Sequence, residues 1–192
     1  MKVGFDYSFE DAVVAYVAQQ WESTTTQLGR TVMQKVCYFL KAKGVPLDYT
    51  FEMYHYGPYS QELYFRLDEL VADGIIKDMS STPKKSVYVP DEKDNEILEM
   101  HYESLMPYRD DINQIIKLLT NFGPADLELL ATIHYFQTSY GKFYKNPPSK
   151  DFVVAKVIET KKDKFAPDLI SRAYDALQSA GLFEDPSVFK RE

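Results

Sequence analysis

Residues that perform chemistry are scarce in this 192-residue sequence. It has one cysteine, Cys37 in the apolar stretch VMQKVCYFL, so no disulfide can form within a single chain. The three histidines are His55, His101 and His134, and no HxxxH, HExxH or CxxC spacing of a metal site occurs. The glycines are scattered and build no phosphate loop. We therefore expect no catalytic residue, no cofactor and no metal, and predict that the protein is not an enzyme.

Long apolar runs and an excess of positive charge are also missing. No apolar stretch approaches the roughly 20 residues of a membrane-spanning helix, and the start, MKVGFDYSFEDAVV, lacks the hydrophobic region of a signal peptide. The formal net charge of −7 argues against a protein that coats nucleic acid, because phosphate binding needs clustered lysine and arginine. We expect a cytoplasmic protein without membrane association.

What the sequence does contain is apolar and aromatic residues at helical spacing. Ser8 and Asp11 form a capping-box pattern before AVVAYVAQQW, which predicts a helix over 9–22. A second apolar stripe runs from Leu28 to Leu40 and ends at Gly44. With a hydrophobic content of 45%, such helices can bury a substantial core, in which we expect Cys37 and His134, with His101 in solvent.

An aromatic segment follows the second helix. Residues 48–56, DYTFEMYHY, alternate as a short strand, and the Gly57-Pro58 pair that follows is typical of a turn. We expect His55 to pack at this corner. Pro58 then suits the first turn of a third helix, which Ser60 helps to cap and whose buried stripe runs from Tyr59 to Leu70.

The order of these elements predicts the fold. IIKDMSS and SVYVP read as a β-hairpin after the third helix, and helix, helix and hairpin in sequence is the winged-helix pattern. Residues 94–120 are helical with a break at Pro107, and the second half repeats the first, with YFQTSYG matching YFLKAKG and YDALQSAGLF matching LDELVADGII. The predicted class is mainly α (α+β), with tandem winged-helix-like units, of which only the first has a β-hairpin wing.

Three parts of the chain follow from this order. Residues 1–92 form an N-terminal winged-helix-like unit with a leading helix, and residues 93–123 a helical connector. Residues 124–192 form a C-terminal winged-helix-like unit without a full wing, because only nine residues follow Phe183.

Residues 33–76 carry a family resemblance. They contain a helix with Gln34, Lys35 and Tyr38, an aromatic strand that ends in Tyr-x-Tyr-Gly-Pro, and a helix that closes in Gly-Ile-Ile. These features resemble the uncharacterised bacterial YwgA-like proteins and, more distantly, the SocA-like or Panacea domains of antitoxins. The stretch LELLATIHYF is also like the second half of YwgA-like chains.

The YwgA-like resemblance covers about residues 25–185, whereas the Panacea-like one ends near residue 90. The YGPYS form, with Ser60, fits the YwgA-like group better. The resemblance implies a mostly helical winged-helix fold without established enzymatic activity. For the antitoxin relatives it implies neutralisation of a partner protein.

A protein-binding surface is the function that we favour. Of the 15 tyrosines many surround the Gly-Pro corner, and tyrosine is enriched at protein interfaces. The alternative is that most of these rings form a small aromatic core. We predict a non-enzymatic regulatory module, antitoxin-like or adaptor-like, that binds a toxin or regulator; a homodimer, and a small-molecule pocket beneath the corner, stay open. The predicted contact residues are Tyr54, His55, Tyr56, Tyr59, Tyr64 and Arg66.

DNA binding is the alternative function of a winged helix. The predicted recognition helix, residues 60–73, is acidic and would be repelled by phosphate. Residues 142–172 are basic instead, and they could contact DNA as part of a transcriptional regulator or be a solvated lysine face. The candidate DNA contacts are Lys156, Lys161, Lys162, Lys164 and Arg172.

Overall fold

A computed structural model describes residues 7–82, 85–144 and 146–183 of the chain. The fold is mainly helical, as the sequence predicts, and has two short antiparallel hairpins, of which the sequence predicts the second. The α-helices are α1 Phe9–Trp21, α2 Arg30–Lys43, α3 Gln61–Ala72, α4 Asp94–Met100, α5 Tyr102–Leu105, α6 Arg109–Leu119, α7 Pro124–Tyr144, α8 Lys150–Lys161 and α9 Pro167–Ser179. The strands are β1 Glu52–Tyr54, β2 Gly57–Tyr59, β3 Ile76–Asp78 and β4 Tyr88–Pro90.

The ends of the first two helices confirm the local predictions. The hydroxyl of Ser8 accepts a hydrogen bond from the backbone N–H of Asp11, whose carboxylate accepts one from the N–H of Ser8. Helix α2 ends at Gly44, which has the left-handed φ of 104° that favours glycine. A short 3₁₀ turn, Met106–Tyr108, interrupts the helical region 94–120 around Pro107.

The corner between β1 and α3 differs from the prediction. Tyr54 pairs with Gly57 across an antiparallel hairpin, so the chain turns at His55 and Tyr56, and Gly57 and Pro58 belong to the returning strand. His55 is therefore exposed at a hairpin tip, and the expectation that it packs at the corner is wrong. Proline is tolerated here because this is a short two-stranded edge ladder.

Helix α3 starts later than the sequence indicates. Pro58 lies in β2, Ser60 is extended with φ −113° and ψ 125°, and the first helical residue is Gln61. The predicted cap is confirmed, since the Ser60 hydroxyl accepts a hydrogen bond from the N–H of Leu63 at 3.3 Å. Three leucines on one face of α3 are buried, Leu63, Leu67 and Leu70.

The second hairpin confirms the predicted β-prone segments. Strands β3 and β4 pair antiparallel, with Lys77 opposite Val89, and the N–H of Tyr88 bonds the carbonyl of Leu28 at 2.9 Å. The two hairpins form separate two-stranded sheets. The structure therefore supports a mainly α class, while the tandem winged-helix arrangement and the boundaries at 92/93 and 123/124 stay predictions.

Helix α7 occupies the centre of the molecule. It packs against α2, β2, α8 and α9, and its residues 127–134 are all buried. The buried apolar residues of the described chain join in one core that includes members of both halves. Within the described residues, no helix is long and apolar enough to cross a membrane.

The predicted repeat is visible in one pair of helices. Helices α3 and α9 each end before a glycine with positive φ, Gly74 at 75° and Gly181 at 67°. The matched positions Ile170, Tyr174 and Leu177 are buried, as are their counterparts on α3. The match of Gly141 to Gly44 fails structurally, because α7 continues through Gly141 to Tyr144.

Candidate functional site

Residues 54–60 form the Gly-Pro corner, which is fastened to the core by buried polar side chains. The Gln34 amide accepts a hydrogen bond from the Ser60 N–H at 2.8 Å and donates one to the Ser60 carbonyl at 2.8 Å. Gln34 is almost completely buried. Because its amide has both a donor and an acceptor, it pairs with an extended residue as a neighbouring strand would. Ser60 is thereby held outside the helix.

Lys35, next to Gln34 on α2, binds the same corner. Its ammonium donates a 2.6 Å hydrogen bond to the carbonyl of Pro58, and its side chain is among the largest fully buried ones. Burial lowers the pKa of Lys35 to about 7, an effect that Glu128 opposes and Lys161 reinforces. A lysine with so low a pKa is partly neutral at physiological pH.

A second lysine, from another helix, also binds the corner. Lys161, at the end of α8, donates a 2.6 Å hydrogen bond to the carbonyl of His55. Its ammonium lies 3.0 Å from Oε1 of Glu128, and both side chains are 3% exposed. Lys164 reaches Oε2 of the same carboxylate at 2.6 Å. The pair joins α7 to α8 and to the corner, and removing one partner of such a buried pair is strongly destabilising.

Gly57 brings the corner into direct contact with α7. Its φ is +83°, and a Cβ atom there would lie 3.0 Å from Oγ1 of Thr132 and 3.3 Å from the backbone oxygen of Glu128. Both the backbone conformation and the close approach therefore require glycine. The Gly-Pro pair is a docking point between the hairpin and the central helix.

Four aromatic rings lie in a row on the outer side of this corner, and we call them the aromatic ladder: Tyr54, Tyr59, Tyr64 and Phe65. Successive ring centroids are 5.3, 6.2 and 5.4 Å apart. Tyr54 is 49% exposed and Phe65 is 54% exposed. The ladder is thus an aromatic surface whose rings hold one another in place.

The ladder contains three of the predicted contact residues and one that sequence reasoning missed. Phe65 lies off the buried stripe of α3, and that offset from Leu63 and Leu67 is the signal that indicates its exposure. Tyr59 is half-buried and belongs to β2, so it does not begin the buried stripe of α3. Tyr56 is 64% exposed at the hairpin tip, and the ammonium of Lys164 lies 5.1 Å from its ring centroid.

Arg66, the sixth predicted contact residue, braces two helices. Its Nε and Nη2 each lie 2.7 Å from a carboxylate oxygen of Asp11, which is 1% exposed. Glu69 pairs with the remaining nitrogen, and the Asp11 hydrogen bond is the main reason that the pKa of Arg66 is raised. The guanidinium therefore links α3 to α1.

The predicted DNA contacts are mostly engaged in ion pairs. Lys161 is buried against Glu128, and Lys164 shares that carboxylate. The other pairs are Lys156 with Glu159 at 2.7 Å and Arg172 with Asp168 at 3.2 Å. Lys162 is exposed and has the positive φ of 52° that is unusual for a residue other than glycine.

Two reactive residue types lie in the core in inactive states. Burial raises the pKa of Cys37 to about 12, which keeps the thiol protonated. Burial lowers the pKa of His134 to about 4. The Nε2 of His134 lies 2.8 Å from the carbonyl of Leu182, so it carries the proton, and Nδ1 accepts from the Tyr38 hydroxyl at 2.7 Å. Core positions for Cys37 and His134 are as predicted.

His101 is half-buried, with Nε2 2.8 Å from the carbonyl of Tyr7, so it is less solvated than predicted. Among the residues that the structure describes, no group of three or more histidine, cysteine, aspartate or glutamate side chains is placed to hold a metal ion.

Part of this chain is similar in sequence to a known protein. No protein-family model matches the sequence. Over 114 residues the chain is 30% identical to a Bacillus subtilis (strain 168) protein described as "Uncharacterized protein YwgA". The match covers 57% of this chain and 65% of that protein, less than two thirds of its length. The match confirms the resemblance to YwgA-like proteins, whereas it does not show the more distant similarity to SocA-like or Panacea domains.

Proposed function

We propose that this protein is a non-enzymatic regulatory module, antitoxin-like or adaptor-like, that binds a partner protein through the aromatic ladder. The observation that supports this proposal most is the exposure of Tyr54 and Phe65 at the ends of a row of rings in tilted and edge-to-face contact. Aromatic side chains of this kind contribute most of the binding energy at many protein interfaces. Contiguous exposed aromatic surface often marks an interaction site.

The rigidity of the corner favours binding further. Gln34, Lys35 and Lys161 hold its backbone by hydrogen bonds of 2.6 to 2.8 Å. The rings also contact one another before any partner arrives. Little conformational entropy is therefore lost when the surface is buried, and preorganised surfaces bind more tightly for that reason.

The charges beside the ladder indicate the chemistry of the partner. Glu52 lies opposite Tyr59 in the hairpin and is exposed, and Asp68 holds Arg30 over the ring of Tyr64. With a net charge of −7 for the chain, an apolar partner surface with surrounding lysines or arginines would be electrostatically complementary. A toxin or regulator of basic character is the partner that we propose.

We propose in addition that the two halves are winged-helix-like units in tandem. The like ends of α3 and α9 support this proposal, as does the β3–β4 hairpin at the position of a wing. No strand is present in residues 124–144 and 146–183, which fits the prediction that the second unit lacks a full wing. In such a fold two rings of the ladder, Tyr64 and Phe65, lie on the helix that other winged-helix proteins insert into DNA.

DNA binding through residues 142–172 receives less support. Four of its five candidate cations are engaged with carboxylates of this chain, so phosphate would have to displace those partners. A gel-shift titration against salt tests this alternative. Specific binding with a steep salt dependence, lost when Lys162 is replaced by alanine, would favour it over partner-protein binding.

Capture of the partner tests the protein-binding proposal. The tagged wild-type chain is used as bait in cells of its source, and the captured protein is produced separately for titration calorimetry. We expect the Phe65→Ser and Tyr54→Ser variants to bind at least about tenfold more weakly, which corresponds to about 1.4 kcal/mol. Tyr102→Ser is the matched control, because Tyr102 is 55% exposed on α5 away from the ladder.

Two outcomes would contradict the proposal. One is a captured partner whose affinity is the same for the wild type and both ladder variants. The other is an affinity that falls for Tyr102→Ser as much as for Phe65→Ser, since general surface hydrophobicity would then explain the capture.

A further inference from the structure

A cleft of about 330 Å³ opens beside the inner edge of the aromatic ladder. Its lining combines side chains from the first two turns of α2 with rings of the corner and of α3. The lining residues that matter here are Arg30, Thr31, Lys35, Tyr56, Tyr59 and Tyr64. Two cations, three aromatic rings and a hydroxyl therefore face one small space, whose volume lies at the lower end of the range for small-molecule sites.

The positive charges near Lys35 outnumber the carboxylates. Lys35, Lys161 and Lys164 surround one carboxylate, Glu128, which pairs with the last two and interacts electrostatically with the first. When all are protonated, three ammonium groups face one carboxylate, a surplus of two positive charges. Burying an ammonium without a matching anion is costly, and burial lowers the pKa of Lys35 to about 7.

Lys35 is the group that connects this surplus to the cleft. Its side chain lines the cleft although it is 1% exposed. Its ammonium has three N–H donors, and the one hydrogen bond given to it among the described residues goes to the carbonyl of Pro58. An anion in the cleft would offer the additional acceptors and the missing negative charge.

Arg30 and Tyr64 shape the opposite wall. The Arg30 guanidinium lies 4.3 Å from the centroid of the Tyr64 ring and is held there by Asp68 at 2.5 Å. Arg30 is only partly exposed, with a side-chain exposure of 24%. Both terminal nitrogens of Arg30 bond Asp68, so a bound anion would share the guanidinium with that carboxylate, and neighbouring tyrosines offer flat surface to an aromatic group.

We propose that this cleft binds a small aromatic phosphate monoester, with its phosphate near Lys35 and Arg30 and its ring against Tyr59 and Tyr64. A phosphate monoester carries about −1.5 to −2 charges at neutral pH, which matches the positive surplus. The inference does not rest on the partner-binding proposal, although Tyr59 and Tyr64 belong to both surfaces. The bound phosphate stabilises the protonated form of Lys35, so its affinity decreases as pH rises above neutrality.

Calorimetry of the whole chain with phenyl phosphate tests this site. We expect a dissociation constant below about 1 mM, and binding at least about tenfold weaker for inorganic phosphate and for phenol. Lys35→Met and Arg30→Gln should each weaken phenyl phosphate binding at least about tenfold. Lys77→Met is the control and should leave the affinity unchanged, because Lys77 is exposed on β3. Affinity at pH 9 should be lower than at pH 7.

Several results would overturn the proposal. Absence of binding at about 10 mM phenyl phosphate, or equal affinity for inorganic phosphate, contradicts an aromatic phosphate site. If Lys35→Met does not fold, a folded Arg30→Gln variant with wild-type affinity is sufficient to reject it. A phosphotyrosine peptide that binds more than about tenfold tighter than phenyl phosphate would reject the small-molecule assignment and indicate a protein segment.

Discussion

Gln34 and Ser60 are joined by two hydrogen bonds of 2.8 Å between a side-chain amide and a backbone peptide unit. Both residues are buried, so neither bond has water as a substitute. The pairing keeps Ser60 extended and sets the first residue of α3 at Gln61. Through this one contact α2 determines where the helix that carries Tyr64 and Phe65 begins.

Gln34→Ala should destabilise the fold. The substitution leaves the N–H and the carbonyl of Ser60 buried without partners, and each such group costs about 1–3 kcal/mol. We expect a loss of about 2–4 kcal/mol in the free energy of unfolding, measured by urea denaturation. Gln114→Ala, at an exposed position of α6, is the control and should change stability little. Equal stability of the two variants would show that the Gln34 pairing is not important.

Gly57→Ala should separate the corner from α7. Its new Cβ would lie 3.0 Å from the Thr132 hydroxyl at a φ of +83°, so both contact and backbone are strained. We expect a loss of about 1–3 kcal/mol in thermal or urea denaturation. Gly141→Ala is the matched control, because Gly141 lies within a helix and its Cβ would meet no atom closer than 3.7 Å. A tolerant Gly57→Ala variant would contradict the close docking.

Lys35 makes the stability of the fold depend on pH above neutrality. Its pKa is about 7 in the folded protein and 10.5 in the unfolded chain, which therefore holds more protons between these values. The contribution of Lys35 to the free energy of unfolding should rise with pH, by about 2 kcal/mol between pH 7 and about pH 9. Urea denaturation of the wild type and of Lys35→Met across this range measures the difference. Parallel pH profiles would contradict the lowered pKa.

His134 makes the stability of the fold depend on pH in the acidic range. Its pKa is about 4 when folded and 6.5 when unfolded, so the unfolded chain binds the extra proton between these values. Stability due to His134 should decrease as pH falls from 6.5 to 4, by about 3 kcal/mol, and this part should vanish in His134→Gln. The imidazole resonances of His134 in NMR titration provide an independent measurement. A titration midpoint near 6.5 would contradict its burial.

Replacing Arg66 distinguishes a structural role of this residue from a role in partner binding. Arg66→Met removes both hydrogen bonds to the buried carboxylate of Asp11, and a loss of about 2–4 kcal/mol in unfolding free energy is expected. The affinity of the folded variant for the partner protein should stay within about threefold of wild type. A large loss of affinity with unchanged stability would instead return Arg66 to the binding surface.

Much of the fold could be predicted because local signals and burial agree. The capping box at Ser8, the stop at Gly44 and the leucine stripe of α3 are all properties of short sequence windows. The corner was predicted less well because its geometry depends on residues far away in sequence. Gln34, Lys35 and Lys161 hold it from other helices, and no local pattern indicates that a Gly-Pro pair will be the second strand of a hairpin.

The candidate site, too, could be predicted where local sequence determines it and not where residues distant in sequence do. The number of tyrosines around the Gly-Pro pair indicates a surface near the corner, and the structure brings the rings of Tyr54, Tyr59 and Tyr64 into contact. Side-chain pairing is not visible in sequence, which is why Arg66 was predicted as a contact residue and Lys161 as a DNA contact. The sequence alone does not distinguish a solvated lysine in a basic stretch from a buried, ion-paired one. Lys161 is of the second kind because the fold brings Glu128 to it.

Photocrosslinking tests the central claim that the aromatic ladder binds a partner protein. A photoreactive benzoylphenylalanine is introduced in place of Phe65, and in a second protein in place of Tyr102, which is similarly exposed on another helix. Each is illuminated with the captured partner at equal concentration. The proposal predicts a strong covalent adduct from position 65 and little or none from position 102. An adduct from position 102 alone, or none from position 65 while the complex forms, would contradict it.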